Sequence, residues 1–270
     1  MKQLTAWLLL LILLLTTAFA SESVTGTDAA ADADTTPRLP DKVLLSFYDD
    51  SLFFGDSIMQ GLSRYKKVMQ KADKTFMETT PIYAAQSISL YTASRPTVVS
   101  DVAFLRRGAK KTMYSITKEL QPDKIFILLG LNDPVVEKID KAIGWVEYLI
   151  KTMATQAPGV KVHFFSLTPV TPYYCQKRNR PAYPELADQY NQRLRETCEQ
   201  YGAYYIEIAE ALKDPDGYLN AAYSSDGDCH LNDEGNAVWL QCMYDYAQQQ
   251  YELGLWTPVL PEENATTDTE

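Results

Sequence analysis

Residues 52–62 read LFFGDSIMQGL. Three apolar residues run into Gly-Asp-Ser, and an amphipathic stretch continues to about Met69, which predicts a buried strand, a tight turn and a helix. The hydroxyl group of Ser57 then lies at the carboxyl edge of a sheet, beside the first free N–H groups of the helix. These N–H groups and the helix dipole favour the negative charge of an acyl-transfer oxyanion. Asp-Ser is also an ordinary helix cap, so other stretches must support a catalytic interpretation.

A second polar turn follows a strong strand pattern. Residues 124–129 form a continuous apolar run, which is typical of a central parallel strand covered on both faces. The run ends in GLND, residues 130–133, and apolar residues then recur at helical spacing over 135–156. Ser57 and Asn132 therefore both follow the carboxyl ends of strands, where the sites of such sheets lie.

Strand and helix patterns alternate through the rest of the chain. Further strands are predicted at 76–85, 160–167 and 203–208, and further helices at 109–120, after Pro184 and at 233–251. Pro81 places the strand at 76–85 at an edge or in a bulge. The alternation predicts an α/β fold with one doubly wound, mostly parallel five-stranded sheet and helices on both faces.

The chain contains two histidines, and a serine nucleophile needs a base. His163 falls in the middle of a predicted strand, which indicates a core imidazole. His230 lies in the polar segment 225–232, SDGDCHLN, directly before the last predicted helix. A nearby aspartate can orient such a histidine and stabilise its imidazolium form. A solvated acidic turn without a catalytic role is the alternative, and the His and Cys residues argue against a calcium site.

These stretches together resemble the SGNH, or GDSL-like, hydrolase family over most of the domain. Residues 54–57, FGDS, resemble the first block of the family, and residues 130–133 resemble the third block, GxND. Residues 226–232 resemble the last block, usually Asp-x-x-His, and Tyr190-Asn191 also resembles the family. The resemblance implies a flavodoxin-like three-layer sandwich. It also implies Ser57 as nucleophile, His230 as base, and the Ser57 N–H and Asn132 amide as oxyanion donors.

The second block of the family normally supplies a glycine N–H to the oxyanion. The matching stretch here, 83–89, reads YAAQSIS and contains no glycine. We expect Gln86 or Ser87 in this place, with Gln86 assigned as the donor, because a non-glycine residue still donates its N–H if its backbone angles allow. Loss of one donor typically lowers kcat about 100- to 1000-fold, so a slow or specialised enzyme also fits.

The last block departs from the family in its spacing. Gly227 stands three residues before His230, where the family has the acid. The acid is then Asp226, four residues before His230, or Asp228, two residues before it. We favour Asp226, because Asp-Gly matches the usual motif with one residue inserted after it.

The first residues of the chain predict export, and composition sets the limits of the folded domain. The first twenty residues combine Lys2, a Leu-rich run and an Ala-Phe-Ala exit, which indicates a signal peptide cut after Ala20. A transmembrane anchor is the alternative, but the apolar run is short and lacks a charged stop-transfer flank. Composition predicts a disordered linker over 21–40 and a disordered acidic tail over 259–270, so the folded domain spans 41–258. We expect a secreted or cell-envelope protein without stable membrane insertion.

The charge balance disfavours anionic partners. The chain carries a net charge of −10, and loss of Lys2 with the signal peptide gives −11. This balance argues against nucleic acid or an anionic membrane surface as a partner. The one basic cluster is predicted to be a solvated helix face; it comprises Arg106, Arg107, Lys110 and Lys111.

The four cysteines, at 175, 198, 229 and 242, lack the CxxC spacing of a structural zinc site. In the strand order expected for this fold, the loops of Cys175 and Cys229 both lie at the carboxyl edge, whereas Cys198 and Cys242 lie on helices that cover opposite faces. If a disulfide forms, we therefore expect it between Cys175 and Cys229. Four free thiols are the alternative.

The resulting hypothesis is a secreted serine esterase that removes acyl groups, in particular acetyl, from carbohydrate or other small esters. No metal or organic cofactor is implied, and the sequence makes no prediction of the oligomeric state. The main alternative is a non-catalytic carbohydrate-binding or envelope scaffold protein with a degraded oxyanion hole, and the missing glycine distinguishes the two. A lipase or thioesterase is a further alternative, which the acidic surface and the lack of an evident long apolar lid disfavour.

Overall fold

The computed structural model describes residues 36–97, 103–133 and 138–259, which form a parallel sheet covered by helices. The strands are β1 (Ser51–Gly55), β2 (Ile82–Ala84), β3 (Phe104–Arg106), β4 (Ala109–Lys111), β5 (Lys124–Leu128), β6 (Lys161–Phe165) and β7 (Tyr204–Ile206). The five-stranded sheet has the order β2-β1-β5-β6-β7, and all its neighbouring strands are parallel. Strands β3 and β4 form a separate antiparallel hairpin.

Helices cover both faces of this sheet. They are α1 (Asp41–Leu45), α2 (Ser57–Ala72), α3 (Leu90–Ala93), α4 (Met113–Leu120), α5 (Ile139–Gln156), α6 (Pro172–Arg178), α7 (Tyr183–Tyr201), α8 (Ala209–Leu212) and α9 (Asp233–Glu252). The step from β1 to β2 and the steps from β5 through β7 run in opposite directions. Right-handed crossovers therefore place α2 on one face and α5 and α7 on the other. Helices α1 and α2 contact α9, whereas α5 contacts α4 and α7. The predicted fold class is confirmed.

A row of stacked rings forms the centre of the core. Phe53, Phe126 and His163 are neighbours across β1, β5 and β6, with ring centroids 4.8 and 4.5 Å apart. Tyr204 stacks on the other side of His163 at 4.5 Å. His163 is 1% exposed, so it is a core imidazole, as predicted. Among the described residues, no helix is both long and apolar enough to span a bilayer.

Strand β1 passes into α2 through a turn that leaves no room for a side chain at Gly55. A Cβ atom there would lie 2.4 Å from the Cβ atom of Met59 and 2.8 Å from a backbone oxygen of β5. Asp56 caps α2, because its Oδ1 accepts a hydrogen bond of 2.9 Å from the Ile58 N–H. The predicted order of strand, tight turn and helix around Ser57 is confirmed.

The second strand is shorter than predicted. The pattern over 76–85 predicts one continuous strand, but only Ile82–Ala84 forms β2. Met77 has a positive φ of 48°, which ends any extended run, and the preceding residues form turns. The Pro81 carbonyl accepts a hydrogen bond from the Phe53 N–H at the start of β2, and β2 lies at the edge of the sheet, as Pro81 predicts.

The basic cluster lies on a hairpin, and the prediction of a solvated helix face is wrong. The helix predicted at 109–120 begins only at Met113, because β3 and β4 pair across a two-residue turn. Both turn residues, Arg107 and Gly108, have the positive φ that such hairpin turns require. Arg106 and Lys111 form ion pairs with Glu119 on α4, so the cluster is partly neutralised.

Arg38 and Leu39, which precede the predicted boundary at residue 41, already contact α9. Arg38 Nη1 donates to Asp245 Oδ1 at 2.9 Å, and the Leu39 N–H donates to Gln248 Oε1 at 2.9 Å, which binds this segment to α9. The predicted signal peptide (1–20) lies outside the described residues. Three other predicted segments also lie outside the described residues. They are most of the linker, the tail from 260 onwards and the first turn of the helix predicted at 135–156.

All four cysteines are free thiols. The structure therefore contains no Cys175–Cys229 disulfide, and that pairing stays a conditional prediction for oxidised protein. Burial raises the pKa values of the Cys198 and Cys229 thiols to about 12, so both are neutral at physiological pH.

Candidate active site

Three of the predicted site residues form one hydrogen-bonded chain at the carboxyl edge of the sheet. His230 Nε2 lies 3.0 Å from Ser57 Oγ, and His230 Nδ1 lies 2.5 Å from Asp226 Oδ2. Ser57 is the first residue of α2, whereas His230 and Asp226 come from the loop before α9. With the proton on Nδ1, the imidazole can take a proton from the serine at Nε2 while the carboxylate holds the ring.

Asp226 also builds the loop that carries the histidine, which we name the histidine loop (225–232). Its Oδ1 accepts hydrogen bonds from the N–H groups of Asp228 (2.8 Å), Cys229 (3.2 Å) and His230 (3.3 Å). Burial raises the pKa of Asp226, but hydrogen bonds from the His230 ring and from the N–H groups of Asp228 and His230 outweigh this effect and lower the pKa to about 2. One oxygen therefore closes the turn and the other holds His230.

Asp228 contacts α6 instead of the imidazole. Its carboxylate pairs with Arg178 Nη1 at 2.8 Å and with Lys177 Nζ at 3.3 Å. Thr171, the N-cap of α6, donates its N–H to the Asp228 carbonyl at 3.0 Å and its hydroxyl to the Gly227 carbonyl at 2.7 Å. Helix α6 thus holds the histidine loop through the backbone of Gly227 and Asp228 and through the Asp228 carboxylate.

The amide of Asn132 connects two loops near Ser57. Its Nδ2 donates to Asp56 Oδ2 and to the Ile88 carbonyl, each at 3.1 Å. Asp56 is completely buried, and burial raises its pKa to about 7 although the Ile58 N–H donates to it. Both N–H groups of the Asn132 amide therefore have acceptors, and the amide plane is fixed between the turn of Ser57 and the segment that matches the second block.

Asp133 fixes the same segment from its far end. Its Oδ1 accepts the Tyr91 N–H at 3.1 Å, and its Oδ2 accepts the Leu90 N–H at the start of α3. The side chain is 5% exposed, and burial raises its pKa. Asn132 and Asp133 together hold residues 88–91, so the GLND turn positions the neighbouring loop as well as its own asparagine.

The segment without the family glycine adopts a glycine-like backbone at Ser87. Ser87 has a φ of 59°, in the left-handed region that favours glycine, whereas Gln86 lies outside that region. Both residues are exposed, and neither N–H has an acceptor among the described residues. The unusual backbone is therefore one residue beyond Gln86, the donor that the sequence assigns.

One group of side chains within the described ranges could hold a metal ion. The ligand atoms of Asp226, Cys229 and His230 all lie within 4.8 Å of one another. Asp226 and His230 already use these atoms for their mutual hydrogen bond, and the Cys229 sulfur lies 3.9 Å from His230 Nδ1. The group thus belongs to the hydrogen-bonded chain that ends at Ser57.

A family model described as the GDSL-like Lipase/Acylhydrolase family matches residues 53–238. The match covers more than half of the chain and includes Ser57, Asn132 and His230. The chain belongs to this family. It is accordingly a carboxylic ester hydrolase, and the predicted enzyme class is confirmed.

Solved structures of bacterial proteins share the fold of this GDSL-like hydrolase. A GDSL-like lipase from Bacteroides thetaiotaomicron is 15% identical, with a TM-score of 0.53 over 82% of this chain and 95% of that chain. A psychrotrophic esterase from Pseudoalteromonas sp. is 14% identical, with a TM-score of 0.50 over 76% of this chain and 100% of that chain. A search of curated proteins found no match. At these identities the likeness concerns the fold alone.

Three side chains that shape the GDSL-like site were not predicted from the sequence. Asp56 was assigned only as a helix cap, although a buried carboxylate beside a serine can accept a second hydrogen bond. Asp133 could have been found as a second polar residue in the GLND turn. Arg178 gives no local signal, because it pairs with a residue 50 positions along the chain.

Proposed function

We propose that this GDSL-like hydrolase is an exported serine esterase that removes short acyl groups, in particular acetyl, from carbohydrate or other small esters. The chain of hydrogen bonds from Asp226 through His230 to Ser57 supports this proposal most directly, because both distances are 3.0 Å or less. The acid is Asp226 in this mechanism, since Asp228 is paired with α6.

The proposed reaction proceeds through an acyl-enzyme. His230 Nε2 takes the proton of Ser57 as the serine oxygen attacks the ester carbonyl carbon. The tetrahedral intermediate collapses, the ester C–O bond breaks, and the alcohol leaves with the proton that His230 returns. Water then loses a proton to His230 and attacks the acyl carbon, which releases the carboxylic acid and restores the serine. The ionised Asp226 stabilises the imidazolium form in both halves of the reaction.

The oxyanion needs donors at the same edge of the sheet. We assign the Ser57 N–H, the Asn132 amide and the N–H of Gln86 or Ser87 to this role. The Asn132 N–H that binds the Ile88 carbonyl would exchange this acceptor for the oxyanion, while the bond to Asp56 keeps the amide in place. Ser57 supplies a donor from the positive end of α2.

Export is part of the proposal and has its own measurement. The basic start, the apolar run and the small-residue exit indicate cleavage after Ala20. Intact mass spectrometry of the exported protein should give a chain that starts at Ser21. A mass that includes Met1 would contradict the signal peptide.

Burst kinetics with p-nitrophenyl acetate and labelling with a fluorophosphonate test the reaction. We expect a burst of p-nitrophenol and covalent labelling of Ser57. Ser57→Ala should lose both, and His230→Ala should lose the burst. Ser63→Ala, a serine replacement on the same helix, is the matched control and should retain both.

Other outcomes distinguish the alternative functions. No burst and no labelling in the wild-type chain would favour a non-catalytic protein with a degraded oxyanion hole. A preference for p-nitrophenyl esters of long acyl chains would favour a lipase or thioesterase.

A further inference from the structure

One exposed tyrosine stands beside the GLND turn. Tyr91 in α3 is 40% exposed, and its N–H is held by Asp133 at 3.1 Å. The guanidinium of Arg95 lies 4.6 Å from the centre of the Tyr91 ring and donates to its hydroxyl group at 2.6 Å. The Trp145 ring lies 5.2 Å away, so Tyr91 is supported by a second ring.

A second exposed tyrosine stands beside the histidine loop. Tyr173 in α6 is 54% exposed, and the ammonium group of Lys177 lies 5.5 Å from its ring centre. Lys177 also pairs with Asp228 at 3.3 Å, and Thr171 binds the Gly227 carbonyl at 2.7 Å. Both tyrosines thus combine an exposed side chain with an adjacent cation on an element that is bound to the site.

Hydrogen-bonded residues connect Ser57 to both of these elements. On the Tyr91 side, Asp56 binds the Asn132 amide, and on the Tyr173 side Ser57 Oγ binds His230. One exposed tyrosine thus lies on the element held by Asp133 of the GLND turn, and the other lies on the element bound to the histidine loop.

The exposed aliphatic side chains of the described ranges lie on α2, on the β3–β4 hairpin and after α9; they are Val68, Leu105, Leu253, Leu255 and Val259. Val68 is eleven residues after Ser57 on α2, about 16 Å along the helix axis. Leu253 follows α9, whose 20 residues extend roughly 30 Å from the histidine loop. On α3 and α6, the two elements bound to the site, the large exposed side chains are instead tyrosines with cations, which do not provide the continuous aliphatic surface that a lipid chain needs.

Tyrosine rings with neighbouring cations match the surface of a sugar. A pyranose ring has C–H groups on its faces and hydroxyl groups around its edge. A tyrosine ring packs against the face, while guanidinium and ammonium groups donate hydrogen bonds to the hydroxyl oxygens. We propose that Tyr91 and Tyr173 form two sugar-binding subsites on either side of Ser57, and that the substrate is an O-acylated oligosaccharide that occupies both. The proposal rests on the proposed function for the reaction at Ser57.

Kinetics on substrates of increasing length test these subsites. The substrates are partially O-acetylated gluco-, manno- and xylo-oligosaccharides of one to six sugars, with acetate release as the readout and p-nitrophenyl acetate as the small ester. For the wild-type chain, kcat/KM should rise at least tenfold with length in one series. Tyr91→Ala and Tyr173→Ala should each lower the ratio of kcat/KM for the tetrasaccharide to that for p-nitrophenyl acetate about tenfold, mainly through KM.

Two sets of controls accompany this experiment. Tyr148→Ala replaces a tyrosine of similar exposure (45%) on α5 and should leave the ratio unchanged. Tyr91→Phe and Tyr173→Phe keep the rings and should retain most of the length dependence. Thermal unfolding of each variant shows whether the chain is folded.

The outcomes separate this inference from the proposed function. Two results would overturn the subsites and leave the esterase proposal intact. In the first, the wild-type chain hydrolyses p-nitrophenyl acetate but shows no length dependence in any oligosaccharide series. In the second, Tyr91→Ala and Tyr173→Ala have the same ratio of kcat/KM values as Tyr148→Ala. Absence of all hydrolysis would refute the esterase proposal. In that case, calorimetric titration of Ser57→Ala with the unacetylated oligosaccharides decides: weaker binding after Tyr91→Ala or Tyr173→Ala supports the subsites, and no binding refutes them.

Discussion

The side-chain amide of Asn132 is held by the carboxylate of Asp56, with Nδ2 3.1 Å from Oδ2. Asp56 is the residue before the nucleophile and is completely buried. Its two carboxylate oxygens bind different groups: Oδ2 accepts from the Asn132 amide, and Oδ1 accepts the Ile58 N–H and caps α2. The same side chain therefore links the start of the helix of Ser57 to a proposed oxyanion donor.

Asp56→Asn should separate these two contacts. The asparagine side chain has one carbonyl oxygen, which preserves the helix cap but leaves an NH₂ group opposite the Asn132 amide. We expect kcat for p-nitrophenyl acetate to fall about tenfold, because the donor is misaligned but still present and loss of a whole donor costs more. KM should change less than twofold, and the midpoint of thermal unfolding should stay within a few degrees of the wild-type value.

A double variant shows whether Asp56 acts through Asn132. Asn132→Ala alone should lower kcat more than it raises KM, since the oxyanion exists only near the transition state. Addition of Asp56→Asn should then cause little further loss. If the two losses multiplied, or if Asp56→Asn changed KM alone, the positioning role would be wrong.

Two isosteric replacements in the histidine loop should differ strongly in effect. Asp226→Asn removes the carboxylate that holds His230 Nδ1, and we expect kcat to fall about 1000-fold or more. Asp228→Asn removes a partner of Arg178 and should lower kcat less than about tenfold. Steady-state kinetics of both variants measure the ranking. The reverse order would assign the acid to Asp228.

Local patterns of apolar residues in the sequence predict most of the helices and strands. The apolar runs predict β1 and β5 because burial on both faces makes a strand continuously apolar. The helical spacing of apolar residues predicts α5 because that helix is buried on one face. The β3–β4 hairpin was not predicted, because its strands have three residues each and its identity depends on the positive φ of Arg107 and Gly108. Ser57, Asn132 and His230 were found because each lies in a recognisable turn. The contacts of Asp56 and Asp133 depend on three-dimensional packing that no spacing encodes.

Replacement by glycine should cost less stability at Ser87 than at Gln86. Its left-handed backbone costs a non-glycine residue roughly 1 kcal/mol, so Ser87→Gly should not lower the free energy of unfolding. Ser87→Val should lower it by about 1–2 kcal/mol, because a β-branched residue tolerates this backbone poorly. Gln86→Gly is the matched control and should be mildly destabilising. Urea unfolding of the three variants checks the order, and a stable Ser87→Val would contradict the strained backbone.

His163 should make the fold sensitive to acid. Burial lowers its pKa from the ordinary 6.5 to about 3, so between these values the unfolded chain binds a proton that the folded chain does not. The free energy of unfolding should therefore fall as the pH decreases from about 6.5 to about 3, by roughly 5 kcal/mol at most. His163→Phe keeps a ring in the stack between Phe126 and Tyr204 and should remove this contribution to the pH dependence of the free energy of unfolding. Urea unfolding at several pH values gives the difference, and identical slopes would contradict the prediction.

Gly227 has a φ of 67°, and it absorbs the extra residue between Asp226 and His230. The N–H groups that follow it converge on one carboxylate oxygen, so the acid keeps its distance from the imidazole despite the longer connection. The number of residues between the acid and the histidine therefore does not determine the distance between their side chains. Related sequences with Asp-Gly placed four residues before the last histidine can preserve an acid–base pair that a search for the usual three-residue interval would discard as lost.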